Sequence, residues 1–216
     1  MNDTQNFDAL ENIIKERVPG FQIKFKDESP FMKFLGKIMF FNKRFMTGYI
    51  TTIGKTIYFP GRQEFEENRG GYFKTLCHEY VHVMDYVQRP VRFILGYIFP
   101  QLLAVFSLGA ILALINPWFL LFLLALLFAA PIPSPGRAES EFRGYGMSCK
   151  VRIWKGEIID ANLLKQYADT FTTSAYYFMW PFRKNVDKRL REYINTDACL
   201  RDRNPAYADV YRVIAG

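Results

Sequence analysis

Residues 72–88 read YFKTLCHEYVHVMDYVQ, with Gly70-Gly71 before them and Pro90 after. Glycines ahead and a proline behind bound a helix. Phe73, Leu76, Tyr80, Val81, Met84 and Val87 supply it with an apolar face for packing. The same helix carries His78-Glu79-Tyr80-Val81-His82, an HExxH pattern. Residues four apart share a helix face one turn apart, so both imidazoles can reach one Zn²⁺. Glu79, beside the first histidine, is then placed to take a proton from metal-bound water. A pattern with three fixed positions also occurs in unrelated helices. Here Thr75, Leu76, Cys77, Val83 and Met84 around it are uncharged, and His78 and His82 are the only histidines in the chain.

A catalytic zinc takes three protein ligands and keeps one position open. With no third histidine, and with Asp85 and Gln88 where HExxHxxGxxH has Gly and His, the third ligand is expected to be a carboxylate or a cysteine. The best stretch is Arg137-Ala138-Glu139-Ser140-Glu141-Phe142-Arg143-Gly144-Tyr145-Gly146. A ligand helix must approach the HExxH helix closely, which favours a small residue one turn beyond the ligand. Glu141 has Gly144 there and Glu139 has Phe142, so Glu141 is the choice and Glu139 the runner-up. Asp85 is expected to orient a ligand or to cap a local contact.

Working outward, Phe7, Leu10, Ile13, Ile14 and Val18 recur at helical spacing and stop at Pro19-Gly20. Residues 21–26 (FQIKFK) alternate as a half-buried strand, and Ser29-Pro30 opens a basic amphipathic stretch, FMKFLGKIMFFNKRFM. That stretch suits either a membrane interface or packing on the core. Residues 49–60 read as a hairpin turning at Gly54-Lys55. Helices are expected over 137–151, 160–176 and 182–194, and the polar last twenty residues are uninformative.

From Phe93 to Gly136, 44 residues run without a charge, while the 28 basic and 21 acidic residues, net +7, all lie elsewhere. This excludes a disordered chain, a coiled coil and a uniformly polytopic membrane protein. The reading is a soluble domain interrupted by a membrane segment. Phe93–Ile115 would reach about 34 Å as an α-helix, and Trp118–Ala130, beyond the Asn116-Pro117 break, about 20 Å. If His78 and Glu141 share an ion, both ends of the block emerge on one face, so it is a hairpin. Arg89, Arg92, Arg137 and Arg143 flank it and mark that face as cytoplasmic. The polar, acidic N-terminus does not read as a signal peptide. Cys77, Cys149 and Cys199 have no paired spacing, which fits a reducing compartment without a disulfide framework.

HExxH, then an apolar hairpin, then a helix with a glutamate, resembles the gluzincin metallopeptidases, in particular the HtpX-type membrane proteases and the minigluzincins. The resemblance covers roughly residues 49–150. Gly144 and Tyr145 stand where the family's second motif has Ala and Asp, and HtpX-type helices before the catalytic helix are absent. It implies an α+β, zincin-like fold, mainly helical, with a small sheet before the HExxH helix. The expected parts are residues 1–92, a membrane hairpin at 93–136, and 137–216 bearing the glutamate. It further implies that His78, His82 and Glu141 hold one Zn²⁺, and that Glu79 is catalytic in an integral-membrane endopeptidase acting on protein or peptide. In zincins an extended substrate pairs with an edge strand, for which Thr56–Phe59 is the local candidate. Tyr145, Arg143 and the Tyr176-Tyr177 pair are candidate oxyanion donors. The rival reading is a membrane adaptor or pore-forming hairpin with a structural or vestigial metal site. Nucleic acid is not an expected partner, because the basic residues are scattered among acids and no recognition motif occurs.

Overall fold

A computed structural model describes residues 2–39, 42–130, 132–173, 178–195 and 204–216. The chain is mainly helical with one small sheet, and it divides into two compact units. The first comprises Met1–Pro90, Arg143–Ile158 and Tyr193–Gly216; the second comprises Val91–Phe142 and Ile159–Glu192.

In the first unit α1 (Asp3–Arg17) starts at Asn2, whose side chain accepts from the Gln5 amide while Gln5 reaches back to the Asn2 amide. This reciprocal cap satisfies two amides that the helix itself cannot. Phe7, Leu10 and Ile14 face the core, and the chain leaves through Gly20 at positive φ. β1 (Gln22–Phe25) runs parallel to β3 (Thr56–Phe59), and β2 (Thr51–Ile53) pairs antiparallel with β3 from the other side. The hairpin turns at Gly54, whose φ of 63° supplies the positive dihedral such a two-residue turn needs. The sheet order is therefore β1-β3-β2. Thr56–Phe59 is central rather than an edge, because β1 folds back beside it; the edge strand of the hairpin is β2.

Between strands lies α2 (Pro30–Ile38), begun by the Ser29 hydroxyl accepting from the Met32 amide. α3 (Arg62–Glu67), unannounced in the sequence, contributes Phe65 to the core, against Phe7, Phe25 and Phe59. A short 3₁₀ turn, Gly70–Tyr72, leads into α4 (Phe73–Gln88), which buries Phe73, Leu76, Cys77, Tyr80, Val81, Val83 and Met84.

α5 (Pro90–Ile98) opens the second unit, followed by 3₁₀ segments Gln101–Leu114 and Pro117–Ala129. Phe93–Ile115 is thus not one continuous helix. Pro100 removes a backbone donor and restricts the residue before it, so the helix stops at Ile98. The two 3₁₀ segments pack side by side, with Gly109 against the Phe122 ring. The ends of the apolar run meet as well. A methyl on Gly136 would collide with the Gly96 backbone, the Ser134 hydroxyl donates to the Phe99 carbonyl at 2.6 Å, and Arg137 Nε donates to the Tyr97 carbonyl at 3.1 Å. Among the described residues no single helix is long and apolar enough to cross a membrane. α5 and the first 3₁₀ segment together are, with a bend of 75° between them.

α6 (Pro135–Trp154) begins in the second unit and ends in the first. α7 (Ala161–Thr172) and α8 (Arg183–Asn195) follow near their expected places. The end of the chain adds an element that the sequence reading does not give. Ala206–Ala215 forms α9, which buries Ala206, Tyr207, Val210 and Val213 in the first unit's core. Its apolar residues keep helical spacing within a polar composition, and the spacing prevails.

Candidate metal centre

His78 and His82 leave α4 one turn apart, and their Nε2 atoms face each other at 3.1 Å. Two nitrogens on one tetrahedral zinc, each about 2.05 Å from it, stand about 3.3 Å apart, so the pair already has ligand spacing. Glu141, only 3% exposed, completes the group: one ligand atom each of His78, His82 and Glu141 lie within 4.8 Å of one another. These three residues are placed to hold a metal ion.

Gly144 is what lets α6 come this close. A Cβ there would lie 2.6 Å from Cε1 and Nε2 of His78, inside the imidazole's own space. The Tyr145 ring meets His78 edge-on at 4.9 Å between centroids. Glu139, the runner-up ligand, instead pairs with Arg189 at 2.7 Å. Its side chain is engaged with α8 and outside the cluster.

The ligands are oriented from behind. Ser148 Oγ lies 3.4 Å from His78 Nδ1 and donates to the Gly144 carbonyl at 3.3 Å. Its proton being directed at that carbonyl, the hydroxyl accepts from Nδ1–H, and the tautomer that results leaves Nε2 as the coordinating nitrogen. The Tyr97 hydroxyl, from α5, donates to Glu141 Oε1 at 3.1 Å. Glu79 is buried, and its Oε2 accepts from the Thr52 hydroxyl of β2 at 2.7 Å.

Asp85 is bonded by Arg143 and Asn204. One oxygen accepts from Arg143 Nε and Nη2, at 3.1 and 2.8 Å, and the other from Asn204 at 3.1 Å. It thus joins α4 to α6 and to the segment before α9, the local-contact role. Arg143, an oxyanion candidate, is held in that pair, while the Tyr207 hydroxyl donates to its carbonyl at 2.8 Å. Tyr176-Tyr177 and Cys199 lie outside the described residues. Cys77 and Cys149 are buried free thiols, and burial pushes the Cys149 thiol up to about 12 and Cys77 well above its ordinary value.

Sequence reasoning missed Thr52, Tyr97 and Ser148. Of these only Tyr97 carried a signal, as a phenol in an otherwise apolar run. No family model, curated protein or solved structure matches the chain.

Proposed function

We propose that this chain is a membrane-anchored zinc endopeptidase of the gluzincin kind, its catalytic part facing the cytoplasm. The observation that carries the reading is the meeting of His78, His82 and Glu141 beside a buried Glu79 whose carboxylate is held by Thr52. A set of three protein ligands is that of a catalytic zinc, whereas structural zinc sites take four. When bound, zinc supplies a Lewis acid that polarises a peptide carbonyl and renders water nucleophilic near neutral pH. Glu79 takes the proton of the attacking water and returns it to the leaving amine. Thr52 keeps one carboxylate oxygen fixed, so the other is the one presented for proton transfer.

β2 supports a peptide substrate. Hydrogen-bonded pairs alternate along an antiparallel ladder, and Ile53 with Thr56 closes the turn. Thr52, opposite Ile57, therefore directs its amide and carbonyl away from β3 while its hydroxyl reaches Glu79. An extended peptide pairing there would pass beside the general base.

The membrane part rests on the 3₁₀ segments, whose large apolar side chains are broadly exposed, Leu114 and Trp118 above all. α5 and the first 3₁₀ segment, bent by 75°, together have the length and apolar composition of a span, and the second 3₁₀ segment is a shorter apolar one.

Detergent-purified wild type is expected to contain about one zinc per chain, and Glu141→Ala markedly less. Glu79→Gln should keep its zinc and lose peptide turnover by roughly 10²–10⁴-fold. A folded wild type that stays zinc-free after supplementation sinks the proposal.

A further inference from the structure

α2 carries two apolar stripes, and the core uses one. Met32, Leu35 and Met39 pack with Phe45, Met46 and Tyr58. Gly36 lets the helix lie against Met46, since a Cβ there would sit 2.8 Å from the Met46 sulfur. The segment beneath is pinned by buried Lys26, whose Nζ donates to the carbonyls of Phe45 and Tyr49 at 2.6 and 2.7 Å. Phe31, Phe34 and Ile38 form the second stripe, at i, i+3 and i+7, and they are 52%, 62% and 53% exposed. At about 100° per residue this stripe lies a quarter-turn from the buried one, with Lys33 and Lys37 beside it on the outer side.

Along the sequence, α2 and the stretch after it carry charge of one sign, with Asp27 and Glu28 just before the helix. From Ser29 to Gln63 the chain has no acid, and its charges are Lys33, Lys37, Lys43, Arg44, Lys55 and Arg62. Glu28, just before the helix, is bound by Arg62 through both oxygens, at 2.7 and 2.8 Å. Large apolar side chains flanked by lysines, on a helix that itself bears no acid, complement an anionic lipid surface. The rings enter the acyl boundary while the lysine stems reach up to the headgroups.

We infer that the exposed face of α2, through Phe31, Phe34 and Ile38 with Lys33 and Lys37, docks onto the anionic surface of a lipid bilayer. This contact is additional to the apolar hairpin and independent of the metal centre.

The test uses the full chain reconstituted in vesicles. A fluorophore is attached to Phe34→Cys, and in a second preparation to Leu120→Cys in the hairpin, each with Cys199→Ser. Buried Cys77 and Cys149 stay unlabelled. Quenching by lipid-borne nitroxide is compared in neutral vesicles and in vesicles with one-third phosphatidylglycerol. The label at position 34 should be quenched in the anionic vesicles and far less in the neutral ones. Lys33→Glu with Lys37→Glu should shift docking back by roughly thirtyfold or more, about fivefold for each lysine removed. A label at 34 left in water in both vesicles, beside a quenched label at 120, overturns the α2 contact and leaves the hairpin reading intact. Quenching at 34 equal in both vesicles overturns the anionic recognition. Shielding that grows with protein-to-lipid ratio, without nitroxide quenching, assigns the stripe to a second copy of the chain and also overturns it.

Discussion

Gly144 sets the distance between the two ligand helices. Any side chain there meets the His78 imidazole, so Gly144→Ala must displace α6 or rotate His78. Zinc affinity is expected to fall about tenfold or more, by chelator competition, with the helical circular dichroism unchanged. Ser148→Ala should weaken zinc in the same direction by loosening the tautomer. Lys26 gives a prediction of another kind. Burial lowers its pKa from 10.5 to about 8, with the Glu79 carboxylate acting the opposite way. Between these values the unfolded chain holds more protons than the folded one, so Lys26 makes stability rise with pH across that window. Below pH 8 its full penalty is present. Denaturation midpoints should show a gain of roughly 2–3 kcal/mol from this residue, present in wild type and missing in Lys26→Met.

At the scale of elements, α9 grips the HExxH helix. Asp209, fully buried, accepts from the Tyr80 hydroxyl at 2.7 Å and pairs with Arg17 at 2.6 Å. Asp209→Ala strands a buried phenol and breaks the pair, and should cost about 2–4 kcal/mol in chemical denaturation. Asp209→Asn, still able to accept from Tyr80, should cost less. The HExxH helix was legible because composition, periodicity and bounding residues agree over its length. Glu141 was legible because Gly144 marks the side that must come close. α9 was not, since Ala206, Tyr207, Val210 and Val213 are few among polar residues and their partners lie far away in sequence. The β3 error has the same origin. Periodicity marks a strand, but nothing local tells whether β1 returns beside it. Ser148 and Thr52 have ordinary neighbours, and only tertiary packing gives them work.

For the molecule as a whole, the joined ends of the apolar run carry a clear expectation. Gly96 and Gly136 meet backbone to backbone, and Ser134 and Arg137 bond the carbonyls of Phe99 and Tyr97. Replacing residues 101–130 with a short glycine-serine link should therefore leave the metal centre assembled while removing the need for detergent. Zinc content and gel filtration without detergent measure both at once; zinc lost from a folded excision variant would show that the hairpin itself holds the site together. The order of the ligands along the chain has a temporal consequence. His78 and His82 leave the ribosome before the uncharged run and Glu141 only after it. A nascent chain halted within the hairpin already has its imidazole pair and Glu79, but neither Glu141 nor Gly144. If the proposed activity holds, hydrolysis begins only after the hydrophobic segment has been synthesised, and an interrupted chain is harmless by its connectivity.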